Sequence, residues 1–477
     1  MSIQKISNFH TETITAIFIV LLVALLTVVM LNFGFSLPLF LVAMGVGFGL
    51  SFFYPRSGLS AIVFLTFIFE RFFTLQSMFI GRSEYKLYPL DILLVAVIAG
   101  VAWQIFSKKI SWKMNRADYA LASFIGITLI YFLVSVLIGK ADFSLAFSTF
   151  KNYAFYSLLY FAIFALIDTP ERMTRFFHFA FAGAIAIFYF IIFGVVNGYG
   201  LWSEYTPLST DGVRLLAFTH GFYLSLALLG LLAYWLYANN RQRALYYILL
   251  GAWAFGIVGS MMRHLWIALA IAIALIFVLI TREQRRALLQ LAGRFALAGV
   301  VAIVLTIYLA SLFPNSTFSS MAYSVQGVIS QRVGSLVGES ATNDESFSWR
   351  LVVWKEAFKA YAESPVVGIG FGKLIYVESG KYRDMVEVRN IHNSPFILFV
   401  QMGFLGVIAL GVTMLHNTAA VYRKKEKSWI DVFLLAALGF YALAFLFQPY
   451  LEANLLGIFF WIILGLIRVE SVSIAKS

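Results

Sequence analysis

The sequence predicts an all-α polytopic membrane protein, a single membrane domain over residues 1–477 with about twelve to fourteen transmembrane helices. One large external loop containing amphipathic helices, at 314–391, precedes the span at 394–415. Three observations lead there. Hydrophobic residues make up 61% of the chain and charged residues 12%, with a mean hydropathy of +0.87, far from the balance of a water-soluble domain. The apolar residues come in unbroken runs, such as 16–30, 296–312 and 432–447, without the alternation that barrel strands show. Only the stretch between the spans at 295–312 and 394–415 is long and polar enough to form an element of its own.

Taken in order, the apolar segments fall at 14–32, 36–53, 58–74, 89–106, 119–138, 154–168, 176–196, 215–237, 245–262, 264–280, 295–312, 394–415, 429–447 and 455–468. The first follows Lys5 but is long enough to span, so it reads as a retained helix rather than a signal peptide. Short basic connections set the orientation. Lys108, Lys109, Lys113 and Arg116 fall in one, Arg282, Arg285 and Arg286 in another, and Arg423, Lys424, Lys425 and Lys427 in a third. All three share one side, which the positive-inside rule assigns to the cytoplasm together with both termini and the turn at 239–243.

Within the loop, residues 348–363 place Leu351, Trp354, Phe358 and Tyr361 at helical spacing, with Arg350, Lys359 and Glu363 projecting elsewhere, as in a helix lying on a membrane surface. Ser364-Pro365 ends it, and Gly368, Gly370 and Gly372 permit a tight, irregular path beyond. No internal repeat or low-complexity tract divides the chain.

Composition also narrows the chemistry. The chain has no cysteine, which removes thiol redox chemistry, thiolate metal sites and disulfides. The net charge of +12 is accounted for by topology determinants and implies no nucleic acid. Histidine and carboxylate pairs at ligand spacing on one helix are missing, so no metal and no cofactor are expected; Asp344-Glu345 reads as a solvated loop or a helix start. There is no serine elbow and no P-loop.

The most informative local pattern is His392-Asn393-Ser394-Pro395 followed by Gly403-Phe404-Leu405-Gly406. It resembles the pattern that closes the large periplasmic loop of O-antigen ligases and the related Wzy-type polysaccharide polymerases. Trp349-Arg350-Leu351, Trp354 and the stretch Ser364-Pro365-Val366-Val367-Gly368-Ile369-Gly370-Phe371-Gly372 resemble the helix and glycine-rich turn that precede that histidine in the same family. The resemblance covers about residues 200–470. It implies a bacterial inner-membrane glycosyltransferase acting on an undecaprenyl diphosphate-linked glycan donor at the periplasmic face, with a glycan or lipid A-core as acceptor and membrane lipid as surroundings. His392 is then the candidate catalytic base, and Asn393, Arg350, Gly368 and Gly370 are supporting loop residues.

Arg214 and Arg263 each fall at the external end of a predicted span, the side that the positive-inside rule depletes of basic residues. A guanidinium fork matches the oxygens of a diphosphate, and the resemblance places diphosphate-gripping arginines near these positions. Ile267 stands where the family's arginine motif usually has leucine. His220 and His264 read as structural, Lys151 as a possible extension of a phosphate path, and Trp202, Tyr205 and Trp349 as aromatic platforms for sugars. The sequence expects His392, Arg214 and Arg263 to meet in one external cavity. It leaves open ligase, polymerase or protein O-glycosylation, and, as a different class, a transporter or flippase for a lipid-linked glycan or a small anion; the spans' uncharged middles argue against transport.

Overall fold

In the computed structural model the described residues are 3–69, 76–80, 83–110, 113–197, 215–238, 244–316, 319, 322–323, 326–327, 330, 345–379 and 382–473. The chain enters through α1 (Ile3–Phe33), α2 (Leu37–Phe53) and α3 (Pro55–Ile68), and then makes the antiparallel hairpin β1 (Gln76–Ile80) and β2 (Ser83–Leu87). Next come α4 (Pro89–Phe106) and α5 (Arg116–Leu137). α6 (Phe143–Phe150) runs through a π turn at Lys151–Phe155 towards α7 (Leu158–Leu166), followed by α8 (Pro170–Ala186) and α9 (Phe188–Asn197). The second half holds α10 (Phe218–Tyr237), α11 (Ala244–Gly259), α12 (Arg263–Leu279) and α13 (Arg282–Leu312). It closes with α14 (Glu345–Ala362), the hairpin β3 (Leu374–Ser379) and β4 (Tyr382–Glu387), α15 (Ser394–Tyr422), α16 (Trp429–Phe445) and α17 (Asn454–Ser473).

Among the described residues, eight helices are long and apolar enough to cross a membrane, and five shorter apolar helices accompany them. The protein is a helical, multi-pass membrane protein. Every segment expected to span has a helical counterpart, with shifted bounds: the helices at Ile3–Phe33, Arg282–Leu312 and Ser394–Tyr422 are longer than the runs expected there, and for the run expected at 58–74 the helix Pro55–Ile68 is described while residues 70–74 lie outside the described residues. The external loop differs more. Besides the anticipated helix, now α14, it contains a β-hairpin, whose alternating Ile375, Val377 and Val386 are buried against Val353 and Ala357 of α14. A two-stranded ribbon needs such a partner to be stable, and six-residue strands give too short a pattern to stand out in a chain this apolar.

Local signals explain the helix starts. Asn115 with Asp118, Thr281 with Gln284, and Ser428 with Asp431 form reciprocal capping boxes on α5, α13 and α16. Pro55, Pro89, Pro170 and Pro395 sit in first turns, where the missing N–H has no intrahelical partner to lose. Arg285 donates to the carbonyls of Phe277 at 2.8 Å and Val278 at 3.0 Å, closing the C-terminus of α12.

α10 and α17 lie at the centre, buried over most of their lengths, whereas α13 keeps most of its apolar surface outward. The bundle has two chemically different ends. One end gathers the basic connections, and ion pairs centred on Arg468 and Lys424 lock it. Arg468 grips Asp118 with both nitrogens at 2.9 Å, and Lys424 bridges Asp431 at 2.6 Å and Glu470 at 2.9 Å. The other end carries α14, the β3–β4 hairpin, His392 and the first turn of α12.

Candidate functional site

The site is built on a broken helix. Asn393 caps α15 by accepting a hydrogen bond from the Phe396 amide at 3.0 Å, and Pro395 fixes the first turn. Ten residues on, Gly403 adopts φ 59° and ψ −158°, which no helical residue can share, and breaks α15. The glycine-rich turn after α14 fills the break. The amides of Ile369 and Gly370 donate to the carbonyls of Val400 and Gln401, while those of Phe404 and Leu405 donate to Pro365 and Val366. A Cβ on Gly368 would lie 2.5 Å from the Gln401 carbonyl carbon, and one on Gly403 would lie 2.4 Å from that of Val366. The two glycine motifs of the sequence are therefore the two halves of one backbone interlock. α5 pins it from the side, where Tyr131 donates to the Val367 carbonyl at 2.6 Å and Ser135 accepts from the Phe371 amide at 2.8 Å.

This scaffold holds His392 at φ 58°, a left-handed conformation unusual for any residue with a side chain. Its Nδ1 lies 2.8 Å from the Oε1 of Gln448, in the connection between α16 and α17. The amide oxygen there makes Nδ1 the protonated nitrogen and leaves the Nε2 lone pair to accept a proton. The Trp349 ring meets the imidazole edge-on with centroids 6.0 Å apart, and Trp354 donates to the carbonyl of Ile391, one residue earlier, at 2.7 Å. α14 thus packs its Trp349–Val353–Trp354 side onto the histidine and the hairpin, while Leu351 and Phe358, expected on the apolar face of a surface helix, are exposed. Burial holds the imidazole below its ordinary pKa; the Gln448 hydrogen bond opposes that, and the nearby Arg350 charge adds to it.

The same connection contributes a group that sequence reasoning did not single out. Glu452 is 7% exposed, accepts hydrogen bonds from Ser394 Oγ and Tyr153 Oη, both at 2.5 Å, and has no ion pair among the described residues. Desolvation pushes its carboxyl up to about 7, although both hydroxyls favour the ionised form. Ser394 also accepts from the Leu451 amide at 3.1 Å, and Asn152 donates to the Glu452 carbonyl at 2.5 Å. Gln448 and Glu452 belong to no motif quoted above. The one signal available was Glu452 itself, a lone acid between two apolar runs.

Arg263 is the first residue of α12, half-buried, directly after a turn in which Met261 has φ 54°. Its neighbour His264 shares a 2.5 Å hydrogen bond with Tyr450 of the same α16–α17 connection. That connection consequently touches both His392 and the first turn of α12. Arg214, Trp202, Tyr205 and Asp344 lie outside the described residues; Leu215 donates to the Gly259 carbonyl at 2.9 Å, at the end of α11. Lys151 is engaged elsewhere, paired with Asp91 at 2.8 Å and 4.2 Å over the Tyr88 ring. His220 is buried, hydrogen-bonded to the Ile68 carbonyl and packed on Phe190, a structural position.

Residues 248–411 match the family model Wzy_C, described as O-antigen ligase. That stretch, about a third of the chain, is similar to an O-antigen ligase domain. The matched stretch contains His392, Asn393, Arg263, Arg350, Gly368, Gly370 and the Gly403 break, whereas Arg214, Gln448 and Glu452 fall outside it. No curated protein matches the chain. The O-antigen ligase match supports a membrane protein of the ligase/polymerase type, handling lipid-linked glycans and their acceptors in general.

Proposed function

We propose that the protein is a glycosyltransferase that moves a glycan from an undecaprenyl diphosphate-linked donor to an acceptor hydroxyl, with His392 as general base. The observation that carries this reading is the histidine itself. Inside the O-antigen ligase match, a strained backbone presents an imidazole whose Nδ1 is tied to a neutral amide and whose pKa is lowered, so the base form prevails at neutral pH. The acceptor hydroxyl gives its proton to Nε2 as its oxygen bonds to the anomeric carbon. The bond from that carbon to the diphosphate oxygen breaks on the opposite face, giving inversion. The undecaprenyl diphosphate that leaves needs charge stabilisation more than a proton, which Arg263 and Arg214 supply in this reading without a metal. Arg350 keeps the imidazole from acquiring its proton too early, while Asn393 and the interlock of Gly368 and Gly370 hold it in place.

The orientation follows from charge. The basic end of the bundle faces the cytoplasm with both termini, and the end bearing His392 faces the periplasm, beneath the loop of 314–391. That loop covers donor and acceptor and limits hydrolysis. His392, Arg263 and Arg214 share one cavity in this reading, with the α16–α17 connection as its floor.

The acceptor separates ligase from polymerase. The surface-glycan profile of a deletion strain, complemented with wild type or His392→Ala, distinguishes them. Loss of long chains with polymer accumulating on the carrier lipid identifies a ligase, and cores bearing single repeat units identify a polymerase. A profile restored in full by His392→Ala would refute the role of the histidine.

A further inference from the structure

Gln448-Pro449-Tyr450, in the connection between α16 and α17, reaches two separate parts of the site. Gln448 holds the His392 imidazole at 2.8 Å, and two residues on the Tyr450 hydroxyl shares a 2.5 Å hydrogen bond with His264 Nε2, next to Arg263 in the first turn of α12. The spacing between these two contacts is stiff. Pro449 fixes its own φ and restricts the backbone of Gln448 before it. The turn is tied back by the Gln448 amide to the Ala444 carbonyl and by the Glu452 amide to the Pro449 carbonyl, each at 3.2 Å. Tyr450 is 2% exposed and meets Phe222 of α10 edge-on with centroids 5.1 Å apart, which leaves its hydroxyl little freedom. The half-buried His264 ring lies against Phe447 and Tyr450 of the same connection, with centroids 6.2 and 5.8 Å away.

The body of α12 is seated by a buried stripe of Leu265, Ala268, Ala272 and Ile276, whose apolar contacts are non-directional. Direction comes at its start. The chain enters α12 through a bend in which Met261 has φ 54°, and the Trp266 indole closes that bend by donating to the Ile257 carbonyl at 3.1 Å. The bend is thereby fixed within itself, and the His264–Tyr450 hydrogen bond fixes where it stands against the connection that holds His392. We propose that Tyr450 and His264 are positioning residues that set the distance between Arg263 and the His392 imidazole, keeping donor diphosphate and acceptor in register without touching substrate themselves. This rests on the roles given to His392 and Arg263 above.

Binding of undecaprenyl diphosphate to the purified full-length protein, followed by titration calorimetry in detergent, tests it through a double-variant cycle. Arg263→Ala weakens binding directly. Tyr450→Phe, which removes the hydroxyl and keeps the ring, should weaken it by roughly three- to tenfold, the contribution of one hydrogen bond. Because Tyr450 acts through Arg263, the Tyr450→Phe/Arg263→Ala pair should bind no more weakly than Arg263→Ala alone. In a transfer assay Tyr450→Phe should raise the KM for the donor and leave the acid limb of the pH–rate profile where the wild type has it, since Gln448 still holds the imidazole. His264→Leu breaks the same contact from the other side and serves if Tyr450→Phe does not fold. Unchanged affinity in these variants beside a weakened Arg263→Ala would overturn this proposal alone, as would losses that add in the double variant or an acid limb that moves. Unchanged affinity in Arg263→Ala would remove Arg263 from donor binding, and this proposal with it.

Discussion

His392 Nδ1 and Gln448 Oε1 lie 2.8 Å apart, joining the residue before α15 to the turn between α16 and α17. The contact fixes the imidazole's tautomer with a neutral group. A carboxylate in that place would hold the ring cationic to higher pH, whereas the amide lets burial and Arg350 keep it neutral.

Replacing Gln448 with alanine is expected to lower kcat by about ten- to a hundred-fold, part of what a positioned general base contributes, with little change in thermal stability. Gln448→Glu supplies an anion to the imidazole and raises its pKa. A base works in its neutral form, so the acid limb of the pH–rate profile, which lies below the ordinary histidine value in the wild type, moves to higher pH in this variant. A profile measured on purified protein that does not move would remove Gln448 from the account.

Glu452 predicts a pH-dependent stability of definite sign. Its folded-state pKa of about 7 lies above the ordinary value of 4.5, so between these two the folded protein binds more protons than the unfolded. The stabilising contribution is complete below 4.5, falls as pH rises through about 7 and is gone above it, a swing of roughly 3 kcal/mol. Glu452→Gln keeps the shape and one acceptor oxygen but cannot ionise. Melting temperatures taken from pH 5 to pH 8 should decline less steeply for this variant than for wild type; parallel curves would show that the carboxyl does not titrate in this window.

The glycine interlock is testable with a control on the same helix. Gly368→Ala and Gly403→Ala both place a Cβ within about 2.5 Å of backbone carbon at positive φ, and each should cost more than ~2 kcal/mol or prevent folding. Gly411, further along α15, has open space around its Cβ position, and Gly411→Ala should be neutral or stabilising by up to ~1 kcal/mol. Thermal unfolding in detergent ranks the three.

At the opposite end, Asp118→Asn leaves Arg468 buried beside an amide rather than a carboxylate, with Tyr160 still donating nearby. The expected loss is about 3–5 kcal/mol of stability, with catalysis per folded molecule unchanged. Activity corrected for the folded fraction separates this from a catalytic defect.

Much of this was legible in sequence because the signals are local. Apolar runs announce helices, and Asn393-Ser394-Pro395 announces the start of α15 through a cap and a first-turn proline. Gly368 announced irregular backbone, but neither the break at Gly403 nor its contact with Gly368 was legible, since 35 positions of chain separate the halves of that contact. Gln448 and Glu452 were invisible for a similar reason. They acquire their meaning from His392, Ser394 and Tyr153, which reach them only through the packing of α15, α16 and the π turn. The apolar stripe expected on α14 divides in the structure: Trp354 and Tyr361 pack with Val353 and Ala357 in the loop's core, while Leu351 and Phe358 stay exposed.

The central claim is that His392 removes the acceptor proton while Arg263 steadies the departing diphosphate. Transfer of a labelled glycan from undecaprenyl diphosphate by purified, correctly inserted protein measures it directly. His392→Ala and Arg263→Ala should each lower the rate by at least about a hundred-fold without lowering the melting temperature. Full activity in both variants would contradict the account.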